Sequence, residues 1–555
     1  MKQWIKKYRT KIWFALGVNV LLLLGMLLLM IPSFETNDDI AICEFANGSR
    51  GSFDAHLVYQ NYILGLIYRF FYRINGNVPW YTLIQYAFLL AAFTAVTWVI
   101  LNRLKPIPGL CASLALLLFF GYECYIKIQY TKTAGILAAA SMFLLFYAVL
   151  EERICPKALL AGFLLGSVGA MYRIVQFVAC SALMTGIGFY LLLELKRRKG
   201  DKRRRYLLTY FSVFGAMMVL AAGLYLIDTL MYTKDPVWEN YIAYNQARTE
   251  LLDYGFPDEN DNRELYQELN LDGEALRLYR SWNFNDPEKF SKTVIEKLIQ
   301  AKPEQRVDLS LVKQFLKQFS TKIFKTTVFY GFLIILILWL FWGEPSASAI
   351  LALIYELLFF SILYFYMFYK GRYMINRVDV GLWFSAALVI VWLLSADKGK
   401  YCAKTGILYG LMLLIMLQGI WKEDWRLGRY SVYSQRIQSR TAFEEPGRDK
   451  EHLYLAKIGT ISAADGYGPF DAMPFGIMNN ISFLGGWITN SAPCLKTLSD
   501  YGIENPYRDM IGNEKVYLID NDIELTMHYI HTYYDKGAEA VEVRKLGNYT
   551  IYQII

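Results

Sequence analysis

The chain has 555 residues, of which 55% are hydrophobic and 16% aromatic, and its formal net charge is +8. Its positive mean hydropathy (+0.26) and its recurring apolar runs of about 20 residues exclude an ordinary soluble globular protein and suit a multi-pass membrane protein. Seven scattered cysteines and four histidines show no metal-ligand spacing, which argues against a zinc site.

In chain order, Lys2, Lys6, Lys7, Arg9 and Lys11 precede a first span at 12–31. The positive-inside bias makes the N-terminus cytoplasmic and puts residue 32 onward outside. The run is too long for a signal peptide and ends without a small-residue cleavage site, so it reads as an uncleaved anchor. Directly beyond it stand Glu35, Thr36, Asn37, Asp38 and Asp39. Acidic side chains are costly near a bilayer, so a pair at a membrane exit is a functional-site candidate. The same residues also suit a helix start, with Thr36 or Asn37 as cap and the aspartates in the first turn; both readings can hold together. Segment 56–74 is apolar but interrupted by Gln60, Asn61, Arg69 and Arg73, which predicts an amphipathic helix lying in the outer interface.

Further spans are expected at 80–101, 107–126, 133–150, 158–172, 176–195, 206–230, 325–342, 346–368, 379–395 and 404–421, giving about eleven with the first. The basic runs 196–199 and 202–205, and Lys398, Lys400 and Lys404, then fall on the cytoplasmic side. Two larger outer segments remain. In 233–323, helices are predicted over 237–252 and 287–301, the latter started by Asp286 and Pro287. In 425–555, strand-like runs at 453–458, 516–519, 540–543 and 549–555 alternate with helical ones at 492–501 and 523–534. The expected fold is therefore a polytopic α-helical membrane module, 1–424, with outer loops 32–79 and 233–323. A small extracytoplasmic α/β domain, 425–555, follows it.

The outer turns hold cations that violate the positive-inside bias: Arg50, Lys127, Lys132, Arg173, Lys370, Arg372 and Arg377. A phosphate-bearing ligand at the outer leaflet would explain them, since arginine grips phosphate bidentately and lysine acts as a point charge. Arg173 and Arg372 are the foremost candidates because their turns are short; Lys370, Arg50 and Lys132 join them. Head-group contact or pairing with outer acids explains the same residues without a ligand. In the large loop, Asn245, Arg248, Asp253, Tyr254 and Trp282 are of the types that bind sugars by stacking and hydrogen bonding, and equally of the types that pack a loop. Asn37 and His56 complete the candidate substrate contacts. Cys43 and Cys494 both face outward in this topology, with their pairing open.

The motifs Thr36-Asn-Asp-Asp39, Tyr130-Thr-Lys-Thr-Ala134, Asn245-Gln-Ala-Arg248 with Asp253-Tyr254, and Lys370-Gly-Arg-Tyr373 resemble those of GtrII-type glucosyltransferases and related membrane proteins of Gram-positive bacteria. More broadly, an acidic motif after span one, an in-plane helix and a terminal soluble domain resemble the GT-C glycosyltransferase superfamily. The resemblance implies that Asp38 or Asp39 is the catalytic carboxylate and that the donor is a polyprenyl-phosphate sugar. It also implies a cell-surface glycan acceptor, such as a wall polysaccharide or teichoic acid, outside a bacterial plasma membrane. No cofactor is demanded, although a divalent cation (Mg or Mn) held by Asp38 and Asp39 is compatible with the pattern. No nucleic-acid partner is expected. A transporter or flippase for lipid-linked glycans, or a wall-polymer assembly scaffold, would share many of these features.

Overall fold

The computed structural model describes residues 12–150, 155–196, 201–303, 307–323, 325–396, 429–547 and 549–555, with scattered positions between 406 and 417. Among them, eight helices are long and apolar enough to cross a membrane, the first being α1, Ile12–Leu29. The others are Trp80–Arg103, Pro106–Tyr125, Tyr130–Val149, Ile174–Glu194, Phe211–Thr233, Ala347–Tyr369 and Asn376–Ser395. Leu309–Ile323 and Thr327–Trp342 make a ninth if this pair, bent by 83°, is one span, and Pro156–Tyr172 is a shorter apolar helix of 17 residues. The protein is thus a multi-pass, mostly helical membrane protein. The expected span at 404–421 and the cations 197–199, Lys398, Lys400 and Lys404, expected on the cytoplasmic side, lie largely or wholly outside the described residues.

Burial separates the helices by role. Tyr130–Val149 and Asn376–Ser395 are almost wholly enclosed and form the centre of the bundle. α1 and Phe211–Thr233 keep large apolar side chains such as Leu21, Leu28 and Val219 exposed. In a bilayer these face lipid, which accepts apolar surface as readily as a protein core does.

Beyond the first span comes α2 (Asn37–Ala46), and α3 (Tyr62–Ile74) follows after a loop. α3 is strongly amphipathic, burying Leu64, Tyr68 and Tyr72 and exposing Phe70 and Ile74. It begins at Tyr62 rather than at 56, because the Asn61 side chain accepts from the backbone N–H of Ile63 and caps it. The predicted helix at 287–301 also starts later, at Lys292 with Ser291 as cap. Asp286 caps only the turn before that helix, accepting the backbone N–H groups of Glu288 and Lys289, while it also accepts the hydroxyls of Tyr529 and Tyr534 and the amide of Asn505.

The C-terminal segment holds a five-stranded sheet of β3 (Leu453–Ala456), β4 (Ile481–Phe483), β5 (Val516–Asp520), β6 (Ala540–Leu546) and β7 (Tyr549–Ile554), in the order β4-β3-β5-β7-β6. β4, β3 and β5 run parallel, while β7 is antiparallel to both β5 and β6. Helices Ala492–Asp500 and Ile523–Tyr533 fall where the sequence places them. The short strand β4 and the polar helix Arg429–Arg448 are additions to that reading.

The outer loop 233–323 does not stand alone. Leu251, Leu276, Phe284 and Ile295 share one apolar core with Leu453, Leu518, Tyr529 and Ile554. The contact is close: a Cβ on Gly485 would meet the Trp282 carbonyl at 1.8 Å, so only glycine fits there. Outer loop and C-terminal segment thus form one composite body over the membrane module.

Candidate active site

The first outer loop is fixed by a two-residue strand, β1 (Ser33–Phe34), which pairs in parallel with β2 (Lys127–Ile128); these lie earlier in the chain than β3. The Glu35 N–H adds a bond of 3.0 Å to the Ile128 carbonyl. This pairing sets the acidic motif against the turn that precedes Tyr130. α2 then starts at Asn37, with Asp38 and Asp39 in its first turn and the Thr36 side chain making no capping bond. The helix start and the acidic site coincide, and the positive end of α2 favours negative charge there.

The two carboxylates diverge. Asp38 is 9% exposed and forms an ion pair with Arg377 at 3.0 Å. Asp39 is fully buried, and its Oδ1 accepts both the Tyr81 hydroxyl at 2.7 Å and the Tyr130 backbone N–H at 3.0 Å. Burial pushes the Asp39 carboxyl well above its usual range, against the opposing pull of the Tyr81 hydrogen bond. Asp38 can meet a substrate, whereas Asp39 holds Tyr81 and the Tyr130 backbone in position.

Around Asp38 lies a cationic, aromatic chamber. Tyr59 and Tyr130 stack with ring planes 4° apart. The Arg173 guanidinium covers both rings at 5.3 and 5.6 Å and donates to the Tyr130 hydroxyl at 2.8 Å. Tyr59 hydrogen-bonds Asn245 and lies within electrostatic reach of Arg248, Asp38 and Arg173. Arg248 is 2% exposed, donates to Asn245 and Thr249, and lies 4.9 Å over the Trp282 ring. Its Nη1 is buried without a hydrogen-bond partner. A buried guanidinium with a spare donor and no carboxylate partner among the described residues is a receptor for an anion. Trp487 closes one side, packing on Tyr59 at 4.9 Å and accepting from the Tyr241 hydroxyl at its carbonyl.

The remaining candidates are distributed around this chamber. Arg372 pairs with Asp253 at 2.7 Å, and Lys370 is exposed in the same turn. The Tyr254 carbonyl accepts from Lys302, and Asn37 is exposed at the head of α2. His56 bonds Asp54 at 2.7 Å and stacks on Trp238, apart from Asp38 in the loop before α3. Lys132 is wholly buried, with its Nζ 2.6 Å from Glu35 and 2.7 Å from Glu123. Arg50 pairs with Glu44 at 3.0 Å under the segment 476–478, and its Nη1 is buried without a hydrogen-bond partner. Cys43 and Cys494 are buried free thiols. Among the described residues, no group of three or more His, Cys, Asp or Glu could hold a metal ion.

Sequence reasoning named Arg377 as an outer cation without giving it a role at the site, and it did not single out Tyr59 or Tyr130 as side chains of the site. Arg377 is joined to Asp38 across 339 positions, a contact that leaves no local pattern to read. Beside it, Asn376 donates to Glu35 and Glu123 and also lines a cavity of about 270 Å³ walled by Phe315, Phe319, Tyr364 and Phe368.

No protein-family model matches the chain, and no curated protein matches it. Solved structures similar to it include two crystal structures of ArnT from Cupriavidus metallidurans, each matched over 97% of both chains. The apo state aligns at 11% identity with a TM-score of 0.40, and the state bound to undecaprenyl phosphate at 10% identity with a TM-score of 0.41.

Proposed function

We propose that the protein is a membrane glycosyltransferase of the GT-C type, acting at the outer face of a bacterial plasma membrane. It takes a sugar from a polyprenyl-phosphate donor and passes it to a cell-surface glycan. One observation supports this reading: Asp38, Arg173 and Arg248 all lie within electrostatic reach of Tyr59, and Arg248 retains an unused buried donor. A base and an anion receptor around one space are what sugar transfer from a phosphate requires.

In the proposed reaction, Asp38 takes the proton of the acceptor hydroxyl as its oxygen attacks the anomeric carbon. The bond from that carbon to the phosphate oxygen breaks, and the polyprenyl phosphate departs with the electron pair. A single displacement of this kind inverts the anomeric centre. Arg173 and Arg248 receive the charge developing on the phosphate, with Arg372 and Lys370 at the rim. Arg377 orients Asp38. The aromatic cavity beside Asn376 suits the first prenyl units of the donor, with Lys322 at its wall. Because Asp38 and Asp39 diverge, they form no shared chelate for Mg or Mn, and the reading expects transfer to persist in EDTA.

The test is transfer of radiolabelled sugar in reconstituted vesicles given polyprenyl-phosphate sugars and wall-glycan acceptors. Wild-type protein is expected to label the acceptor, and folded Asp38→Asn protein is not. Labelled lipid crossing the bilayer with no acceptor ever modified would replace this reading with a transporter.

A further inference from the structure

A further cavity is lined by none of the residues of this chamber. It measures about 700 Å³ and opens between the polar helix Arg429–Arg448 and the turn Ala463–Gly466. Its walls present Gln435, Arg436, Gln438, Ser439, Ser462 and Asp465. Gln435, Gln438 and Asp465 are exposed where they line it, so their amide and carboxylate groups can meet a ligand. The walls are held in place. Arg440 bonds the Gly466 carbonyl at 3.0 Å and pairs with Asp471 at 2.8 Å, and a Cβ on Gly466 would come within 2.9 Å of the Arg440 backbone.

The lining defines the ligand. One guanidinium and one carboxylate balance each other, which disfavours a phosphate or any other strong anion. Amides and hydroxyls dominate, which disfavours a lipid tail or an apolar helix. Groups that both donate and accept, spread over a neutral wall of this size, suit a neutral polyhydroxylated chain. Location gives it a role: the turn Ala463–Gly466 packs directly against α2, the helix that carries Asp38. We propose that this cavity is a subsite for the acceptor glycan, gripping sugar units away from the reacting end so that the polymer's end reaches Asp38. The role as acceptor subsite rests on the glycosyltransferase reading; the binding of glycan does not.

The probe is a neutral hexasaccharide released from bacterial surface polysaccharide, presented to the full-length protein in nanodiscs and followed by saturation-transfer NMR. Wild-type and Asp38→Asn proteins are both expected to give signal. Ser439→Trp, which fills the cavity, and the double variant Gln438→Ala/Asp465→Ala, which only removes contacts, are both expected to lose it while eluting as folded protein. In transfer assays the double variant should raise KM for the long acceptor about tenfold, as loss of one or two hydrogen bonds predicts, with kcat unchanged. No signal from the wild type, or equal signal from wild type and both variants, overturns the proposal. Binding by wild type with loss in the variants, but no transfer from any donor, upholds the cavity and sinks the glycosyltransferase reading instead.

Discussion

Two buried cations in this protein look alike in sequence and behave oppositely in the fold. Lys132 has its Nζ 2.7 Å from the Glu123 carboxylate, 2.6 Å from Glu35, and 3.0 and 3.2 Å from the Glu123 and Lys127 carbonyls. An ammonium has three protons to donate, so this one is saturated by the chain itself. Arg248 has five N–H donors, uses those on Nε and Nη2 on Asn245 and Thr249, and leaves Nη1 unmet. A desolvated charge is costly unless paired, so Lys132 is part of the scaffold while Arg248 is incomplete without an anion. What sets Arg248 apart is a spare donor without a carboxylate partner among the described residues; Arg50 also leaves its Nη1 unmet, but Glu44 balances its charge.

The sharpest way to break this comparison is at the carboxylate between the cations. Asp38→Asn is expected to lower kcat about 10²–10⁴-fold in reconstituted vesicles, the range for losing a general base. Retained activity would remove the base from the chamber. Lys132→Met should act on stability: it strands Glu35 and Glu123, and thermal unfolding in detergent should report a loss of about 3–5 kcal/mol. Any folded Lys132→Met protein should keep the wild-type KM for donor. Arg248→Met should do the reverse. Transfer falls about 10²-fold, as for loss of one donor to a developing oxyanion, while thermal stability is unchanged or higher. If Arg248→Met unfolds and Lys132→Met only weakens donor binding, the two assignments are exchanged.

The smallest effect concerns Asp39. Its folded-state pKa lies above the ordinary value of 3.8, chiefly through burial. An acid raised in this way favours the folded state below its unfolded pKa, and that contribution is lost as pH rises through the raised value. Wild-type melting temperature should therefore fall with rising pH more steeply than that of Asp39→Asn, whose side-chain oxygen can still accept from Tyr81 and Tyr130. Parallel slopes would mean that Asp39 is ionised in the folded protein.

Much of this was legible in the sequence wherever the signal is local. Leu453–Ala456 and Val516–Asp520 read as strands because short apolar runs stand between polar turns, and Ile523–Tyr533 reads as a helix from its period. The acidic pair was legible because charge beside a membrane span is conspicuous. Arg429–Arg448 was not, because a helix polar on nearly every face carries no hydrophobic stripe. The start of the helix after Asp286 was misread because that carboxylate caps a turn at Glu288 and Lys289, and the helix itself begins at a second cap, Ser291. The chamber itself depends on such distant meetings: Tyr59 with Tyr130, Arg377 with Asp38, and Arg173 with Tyr130.

The shared core of the outer loop and the C-terminal sheet has a consequence for biogenesis. β7, the last of the five strands in chain order, lies inside the sheet between β5 and β6 rather than at its edge. Its Ile554 belongs to the same core as Leu251 and Phe284, which are translocated some 270–300 positions earlier. The loop that bears Arg248 must therefore wait, unsupported, until β7 has been made. A nascent chain halted before β7 would hold every residue of the chamber and yet lack the body that closes it. Any activity of the chamber would then begin only in chains that have been read through to this strand.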